Sequence, residues 1–185
     1  NEKVKRGLDQ VAAAAEGAAT EKRGLPPVHL WAPAHVGEID IVITRDGRWV
    51  HEGGVIGREA LVRLFSSILR RDDDGVYLVT PVEKLKITVE DAPFIATAVR
   101  EEGDALVFTT NVGDEVAAGA DNPIRVEVSD DGEPRPYVLV RGGLEALITR
   151  PVFYELVEMA EDRDGAFGVA SNGAWVDMAP DGAGA

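Results

Sequence analysis

Four arginines stand at two pairs of matched positions in this chain. Arg58 and Arg150 each follow an isoleucine by two residues (Ile56 and Ile148), and each opens an amphipathic segment. Arg45 and Arg141 each precede a glycine-bearing turn, Asp46-Gly47 and Gly142-Gly143. An arginine is a permanent cation with a flat fork of donors that suits carboxylate or phosphate. The dipole at a helix start already favours an anion, so a cation placed there twice calls for a counter-charge. Two arrangements supply one. In the first, Glu52 and Glu145, six and five residues upstream of Arg58 and Arg150, clamp the guanidiniums internally. In the second, a ligand anion is held jointly by Arg58, the free N–H groups of the helix start and the Gly53–Gly57 stretch, whose glycines let backbone approach closely. The internal clamp is the more economical of the two.

Other chemistry is sparse. The chain has no H-E-x-x-H, Walker A, G-x-G-x-x-G or G-x-S-x-G motif. It has no cysteine, which excludes disulfides, thiolate chemistry and zinc sites of the cysteine type. Of the three histidines, His29, His35 and His51, only His35 and His51 with Glu52 suggest metal ligands. Their spacing fits no ligand template, and structural or solvated roles are the expectation. Ser66 and Ser67 fall inside a helical pattern, where a nucleophile is poorly presented. Glu52, Glu83, Asp91 and Glu145 can supply carboxylate pairs, but with 33 acidic residues a chance pair is expected. No catalytic residue, metal or cofactor is assigned.

The elements that must position these residues repeat. Residues 56–80 read Ile-x-Arg, amphipathic helix, Asp74-Gly75 turn, strand; residues 148–170 read the same with Asp164-Gly165, Phe167 matching Tyr77 and Val169 matching Val79. Self-similarity of this kind predicts a duplicated α+β unit. A helix is expected over 2–16, ended by Gly24-Leu25-Pro26-Pro27, either docking by one apolar stripe or mediating self-association. A hairpin over 39–52 turns at Asp46-Gly47, a loop follows at 53–57, and helices are expected at about 58–70 and 150–162. Strands are expected at Tyr77–Thr80, Leu85–Val89, Phe94–Val99, Ala105–Thr110, Ile124–Val128, Tyr137–Arg141, Leu144–Ile148, Phe167–Ala170 and Trp175–Met178. So many short strands bury themselves most economically as a twisted antiparallel sheet, curled around a helix. The division expected is 1–24 as helix and linker, 25–83 and 84–179 as two α+β domains, and 180–185 as a tail.

The formal charge is −14 with a 45% hydrophobic fraction. That charge disfavours DNA or RNA, which bind through phosphate neutralisation. No apolar run approaches the ~20 residues of a membrane span, and a cytoplasmic setting is the expectation. Five lysines against fourteen arginines leave most positive charge in bidentate form.

The run 37–71 resembles the bacterial domain-of-unknown-function 1285 family, as do Y-L-V-T-P-V-E-K (77–84), V-E-D-A-P-F (89–94), F-T-T-N-V-G-D (108–114) and V-R-G-G-L-E-A (140–146). The resemblance spans about residues 26–178. It implies a duplicated core of two α+β domains, the C-terminal one pleckstrin-homology-like, and a small-ligand site at the domain interface for a nucleotide-like molecule, with a role in signal transduction. It implies no established enzymatic activity. The positions it nominates are His51, Glu52, Arg58, Thr80, Pro81, Glu83, Lys84, Asn111, Arg125 and Arg141; Gly54 and Gly57 join them as candidate ligand-binding residues on the close-approach reading of the glycine loop. A histidine often precedes the proline in the segment matching Asp121-Asn122-Pro123, where this chain has Asn122.

The function expected is therefore that of a non-enzymatic binding protein for a small anionic, nucleotide-like ligand. In it Arg58 and the Gly53–Gly57 loop hold phosphate, His51, Glu83 or Asn111 read polar edges, and Trp49 or Tyr77, unless they are core, stack on a base. A protein-interaction or adaptor module, with a protein partner or a second copy, is the alternative. A metal-dependent hydrolase of a phosphorylated small molecule, built on His51 and carboxylates, ranks third.

Overall fold

Alternation builds the first sheet. In β1 (His35–Ile43) every second residue turns inward, and Ile41 and Ile43 are fully buried. The Asp46-Gly47 turn returns the chain as β2 (Trp49–His51), and a second tight turn at Glu52-Gly53 adds β3 (Gly54–Val55). Helix α2 (Glu59–Ser67) follows, then β4 (Leu69–Asp72), β5 (Gly75–Val79) and β6 (Glu83–Val89). The computed structural model describes residues 7–19 and 24–180. Helix α1 (Leu8–Ala19) lays Val11 and Ala15, both buried, against α2, so the expected apolar stripe docks within its own unit. The first residues of the expected helix and most of the expected tail lie outside the described residues.

Contacts divide the chain after Asp91 into two units. The expected division after residue 83 instead cuts β6, which pairs with both β1 and β5 and cannot be parted from the first unit. The second unit holds β7 (Phe94–Glu102), β8 (Ala105–Thr110), β9 (Glu115–Ala117), β10 (Ile124–Val128), β11 (Pro134–Arg141), β12 (Leu144–Ile148) and α3 (Arg150–Met159). It ends with β13 (Glu161–Arg163), β14 (Ala166–Ser171) and β15 (Ala174–Asp177).

The two six-stranded sheets share one topology. Unit 1 runs β3-β2-β1-β6-β5-β4, and unit 2 runs β10-β11-β12-β7-β8-β9. Each is two three-stranded meanders joined by a central parallel pair, β1 with β6 and β12 with β7; every other pairing is antiparallel. The architecture is α+β and duplicated, with a curled half-barrel sheet in the second unit. The repeated sequence run maps differently. Both copies form a helix followed by a hairpin, but β4–β5 belong to the six-stranded sheet, whereas β13–β14 join β15 in a separate three-stranded sheet.

Two expected helices are shorter than their periodicity implies. α2 stops at Ser67, where Ser66 and Ser67 donate to the carbonyls of Arg63 and Leu64 (2.7 and 2.6 Å) and loosen the last turn. Leu69 then pairs with Leu78 in a strand. α3 stops at Met159 with no basic residue in its last turn, and Glu161–Arg163 pair across the Asp164-Gly165 hairpin. No helix among the described residues is long and apolar enough to cross a membrane.

Candidate functional site

The nominated residues fall into three groups, two in unit 1 and one in unit 2.

The first group surrounds the β2–β3 turn and the start of α2. His51 is half-buried at the end of β2; Glu52, Gly54, Gly57 and Arg58 are exposed. The expected flexible loop is a tight hairpin. Glu52 (φ 46) and Gly53 (φ 82) are both left-handed, the pattern of the turn that matches strand twist. Gly54 lies in β3, where an added Cβ meets only the His51 carbonyl at an ordinary 3.6 Å, and Gly57 has open space around it. Of these glycines only Gly53 is required by the turn, and at none of the three would an added Cβ meet more than ordinary contact. Arg58 takes the N-cap position of α2 in extended conformation, where Ser, Thr, Asp or Asn is usual. Among the described residues it has no ion pair, so the expected clamp by Glu52 does not form. Its counterpart Arg150 pairs with Glu133 at 3.1 Å instead of Glu145. Arg45 offers its backbone N–H to Glu90 (2.8 Å).

The second group lies at the β5–β6 turn. Thr80, 2% exposed, accepts from the Glu83 N–H at 3.2 Å and closes the turn over Pro81-Val82. The Glu83 side chain is buried, with Oε2 4.0 Å from Nε2 of the half-exposed His35. Lys84 reaches Asp72 (2.5 Å) and sits 4.1 Å from the Tyr77 ring centroid. Asp72 is a hub that sequence reading missed, because Asp72-Asp73-Asp74 reads as a helix-closing turn. Arg70 grips it through Nε at 2.7 Å and Nη2 at 3.0 Å, while Nη1 of Arg70 holds the carbonyls of Val28 and Trp31. The hydrogen bonds from Arg70 first and Lys84 second hold the Asp72 carboxyl down at about 2.

That shift has a testable sign. A folded value below the unfolded one contributes stability above about pH 4, and the contribution is lost as the pH falls toward 2. Urea midpoints should show wild-type protein losing about 2 kcal/mol over this window through Asp72. Asp72→Asn should already lack that contribution at pH 6 and lose correspondingly less on acidification. Parallel loss in both proteins would remove Asp72 from the account.

The third group lies in unit 2 and is structurally engaged. Asn111 bridges to β7, accepting from the Ile95 N–H at 3.0 Å and donating its own N–H to the Ile95 carbonyl at 2.8 Å. Arg125 makes a bidentate pair with Glu145 (2.7 and 2.9 Å), a further bond to Glu127, and lies over the Tyr137 ring. Arg141 pairs with Asp114 at 2.5 Å and lies over Phe94. Asn122 donates to the carbonyls of Leu139 and Val140. Trp49 and Tyr77 are 2% and 4% exposed core residues, which removes both as stacking surfaces. Among the described residues no group of three or more histidines and carboxylates is placed to hold a metal ion.

Residues 26–92 match the family model described as the N-terminal domain of the domain of unknown function DUF1285, and residues 93–178 match its C-terminal domain. A DUF1285 family protein from Silicibacter pomeroyi DSS-3 is similar at 50% identity, with 92% of this chain and 93% of that chain covered and a TM-score of 0.83. A second DUF1285 family protein, from Shewanella baltica OS155, is 29% identical over 64% of this chain and 90% of its own, with a TM-score of 0.53. No curated protein matches.

Proposed function

Because the chain belongs to the DUF1285 family, whose description assigns no activity, we propose its function from its own geometry. It is a cytosolic, non-catalytic binding protein for a small phosphate-bearing ligand of nucleotide class, acting in signal transduction. The observation that carries this reading is Arg58. Lys84, Arg125 and Arg141 are already neutralised by carboxylates. Arg58 is exposed, unpaired among the described residues, and set at the start of a nine-residue helix. The positive end of the helix and a free guanidinium coincide there, on a chain whose net charge is −14. An incoming phosphate finds the guanidinium and the N–H groups of Glu59 and Ala60, which precede the first intrahelical bonds at Leu61 and Val62. His51 is the nominated residue left to read the rest of the ligand. A protein that binds a metabolite without transforming it transmits occupancy alone, which is the task of a signalling component.

Thermal shift with ATP, ADP and cyclic dinucleotides, against adenosine, tests this. A nucleotide at one hundred times its Kd stabilises by about 2.7 kcal/mol, roughly 5–10 °C for a chain of this size. Arg58→Ala should abolish the shift without moving the ligand-free midpoint. If no phosphate-bearing nucleotide raises the midpoint, or the shift survives in Arg58→Ala, the reading is wrong.

A further inference from the structure

The charge imbalance of the chain is concentrated in one unit. Residues 1–91 carry 15 acidic against 13 basic residues, and residues 92–185 carry 18 against 6, so the net charges are −2 and −12. All five lysines fall in unit 1. Five of the six arginines of unit 2, Arg100, Arg125, Arg141, Arg150 and Arg163, are already in ion pairs with their own carboxylates. Solubility is served by any distribution of charge; concentration in one unit sets up a field that favours a cationic partner.

The same unit holds an open, largely apolar cleft of about 110 Å3. It lies where β10, the outermost strand of the six-stranded sheet, approaches β15, the outermost strand of the three-stranded sheet, without sharing a ladder with it. Ala118, Ala120, Pro123, Ile124, Trp175 and Val176 line it. The Ser171 hydroxyl at its wall is turned to the protein, donating to the Ala118 carbonyl (2.8 Å) and accepting from the Leu106 N–H (2.7 Å). Trp175 is a fixed wall. Its ring lies so close over Gly168 that an added Cβ would sit 2.6 Å from it, and the Arg163 guanidinium is 4.6 Å from the ring centroid. A wall already immobilised loses little entropy when a ligand arrives. In sequence the cleft is flanked by Asp121, between Ala120 and Pro123, and by Asp177, next to Val176; both are exposed and neither has an ion pair among the described residues.

We infer that this cleft docks an extended, lysine- or arginine-bearing segment of a partner protein, which seats one apolar side chain between Trp175 and Ile124. The sign of the unit selects the cationic segment, and the apolar walls select its anchor. The outer edges of two strands favour an extended chain, because added-strand binding takes its affinity from the backbone and its specificity from alternate side chains. The site is in the other unit from Arg58 and does not depend on the phosphate reading.

The test uses the whole chain, labelled with 15N, and the peptide Lys-Thr-Lys-Leu-Lys-Thr-Lys as probe. At low salt the peptide should shift the amide signals of residues 118–124 and 174–177. Replacing its leucine by serine should weaken binding at least about tenfold. Its glutamate counterpart should not bind, and raising the salt to about 0.3 M should weaken the leucine peptide several-fold. Ala174→Phe, which fills the cleft, and the exposed double change Asp121→Lys with Asp177→Lys should each abolish the shifts, the latter with an unchanged thermal midpoint. Unmoved spectra at millimolar leucine peptide, equal affinity for the serine peptide, or full binding by the charge-reversed protein would each overturn the inference.

Discussion

Gly168→Ala is expected to lower the thermal midpoint by roughly 10 °C. Gly168 lies in the middle strand of the three-stranded sheet, paired with Glu161 on one side and Asp177 on the other. A Cβ there would sit 2.2 Å from the Val176 carbonyl oxygen and 2.6 and 2.8 Å from atoms of the Trp175 indole. Neither neighbour is the free end of a flexible chain. One is backbone, and the other is an aromatic ring stacked beneath Arg163. Relief requires β14 and β15 to part or Trp175 to leave its place, and overpacking of this kind costs about 3 kcal/mol. Calorimetry measures the loss, and tryptophan fluorescence should shift to the red as Trp175 is released. A midpoint within about 2 °C of wild type would mean that the ring is not held against the backbone as described.

Phe65→Ala should be at least as damaging, at about 3–5 kcal/mol, and acts in the other unit. Phe65 is fully buried on the inner face of α2, its ring 6.3 Å from that of Trp49. The positions around it are themselves spoken for. Trp49 is fixed in β2 opposite Ile43, and Ile68 caps the helix. A site whose walls cannot collapse keeps most of the cavity. The urea midpoint should fall with the m-value unchanged, and Phe65→Leu should recover more than half of the loss. Recovery of nothing by leucine would point to a backbone role for this position instead of packing.

Local pattern carried much of this fold. The alternation in β1, the Asp46-Gly47 turn and the Leu61–Phe65 face of α2 are each decided by residues within a few positions of one another, and each is found as expected. β4 and β13 were illegible because their residues continue an acceptable helical pattern. Only the partners, β5 and β14, convert them to strands. The counter-ions were illegible for a related reason. Glu145 serves Arg125 because β10, β11 and β12 lie side by side in one register, information absent from the spacing between Glu145 and Arg150. The residues nominated by resemblance are mostly committed to turns, ladders and ion pairs, and Arg58 stands out because its expected clamp is missing.

The central parallel pair in each six-stranded sheet also sets the order in which the chain can fold. Every antiparallel pairing within a meander joins neighbours along the sequence and can form as soon as its turn closes. The parallel seams cannot. His35 meets Glu83, 48 residues on, and Phe94 meets Ala146, 52 residues on. Each sheet is therefore completed by its own first and last strands, after a loop of about fifty residues has been closed. On the ribosome neither sheet can be finished until its last strand has emerged. Until then β1 and β7 each offer an unpaired edge, which makes the waiting half-sheet the species most exposed to aggregation.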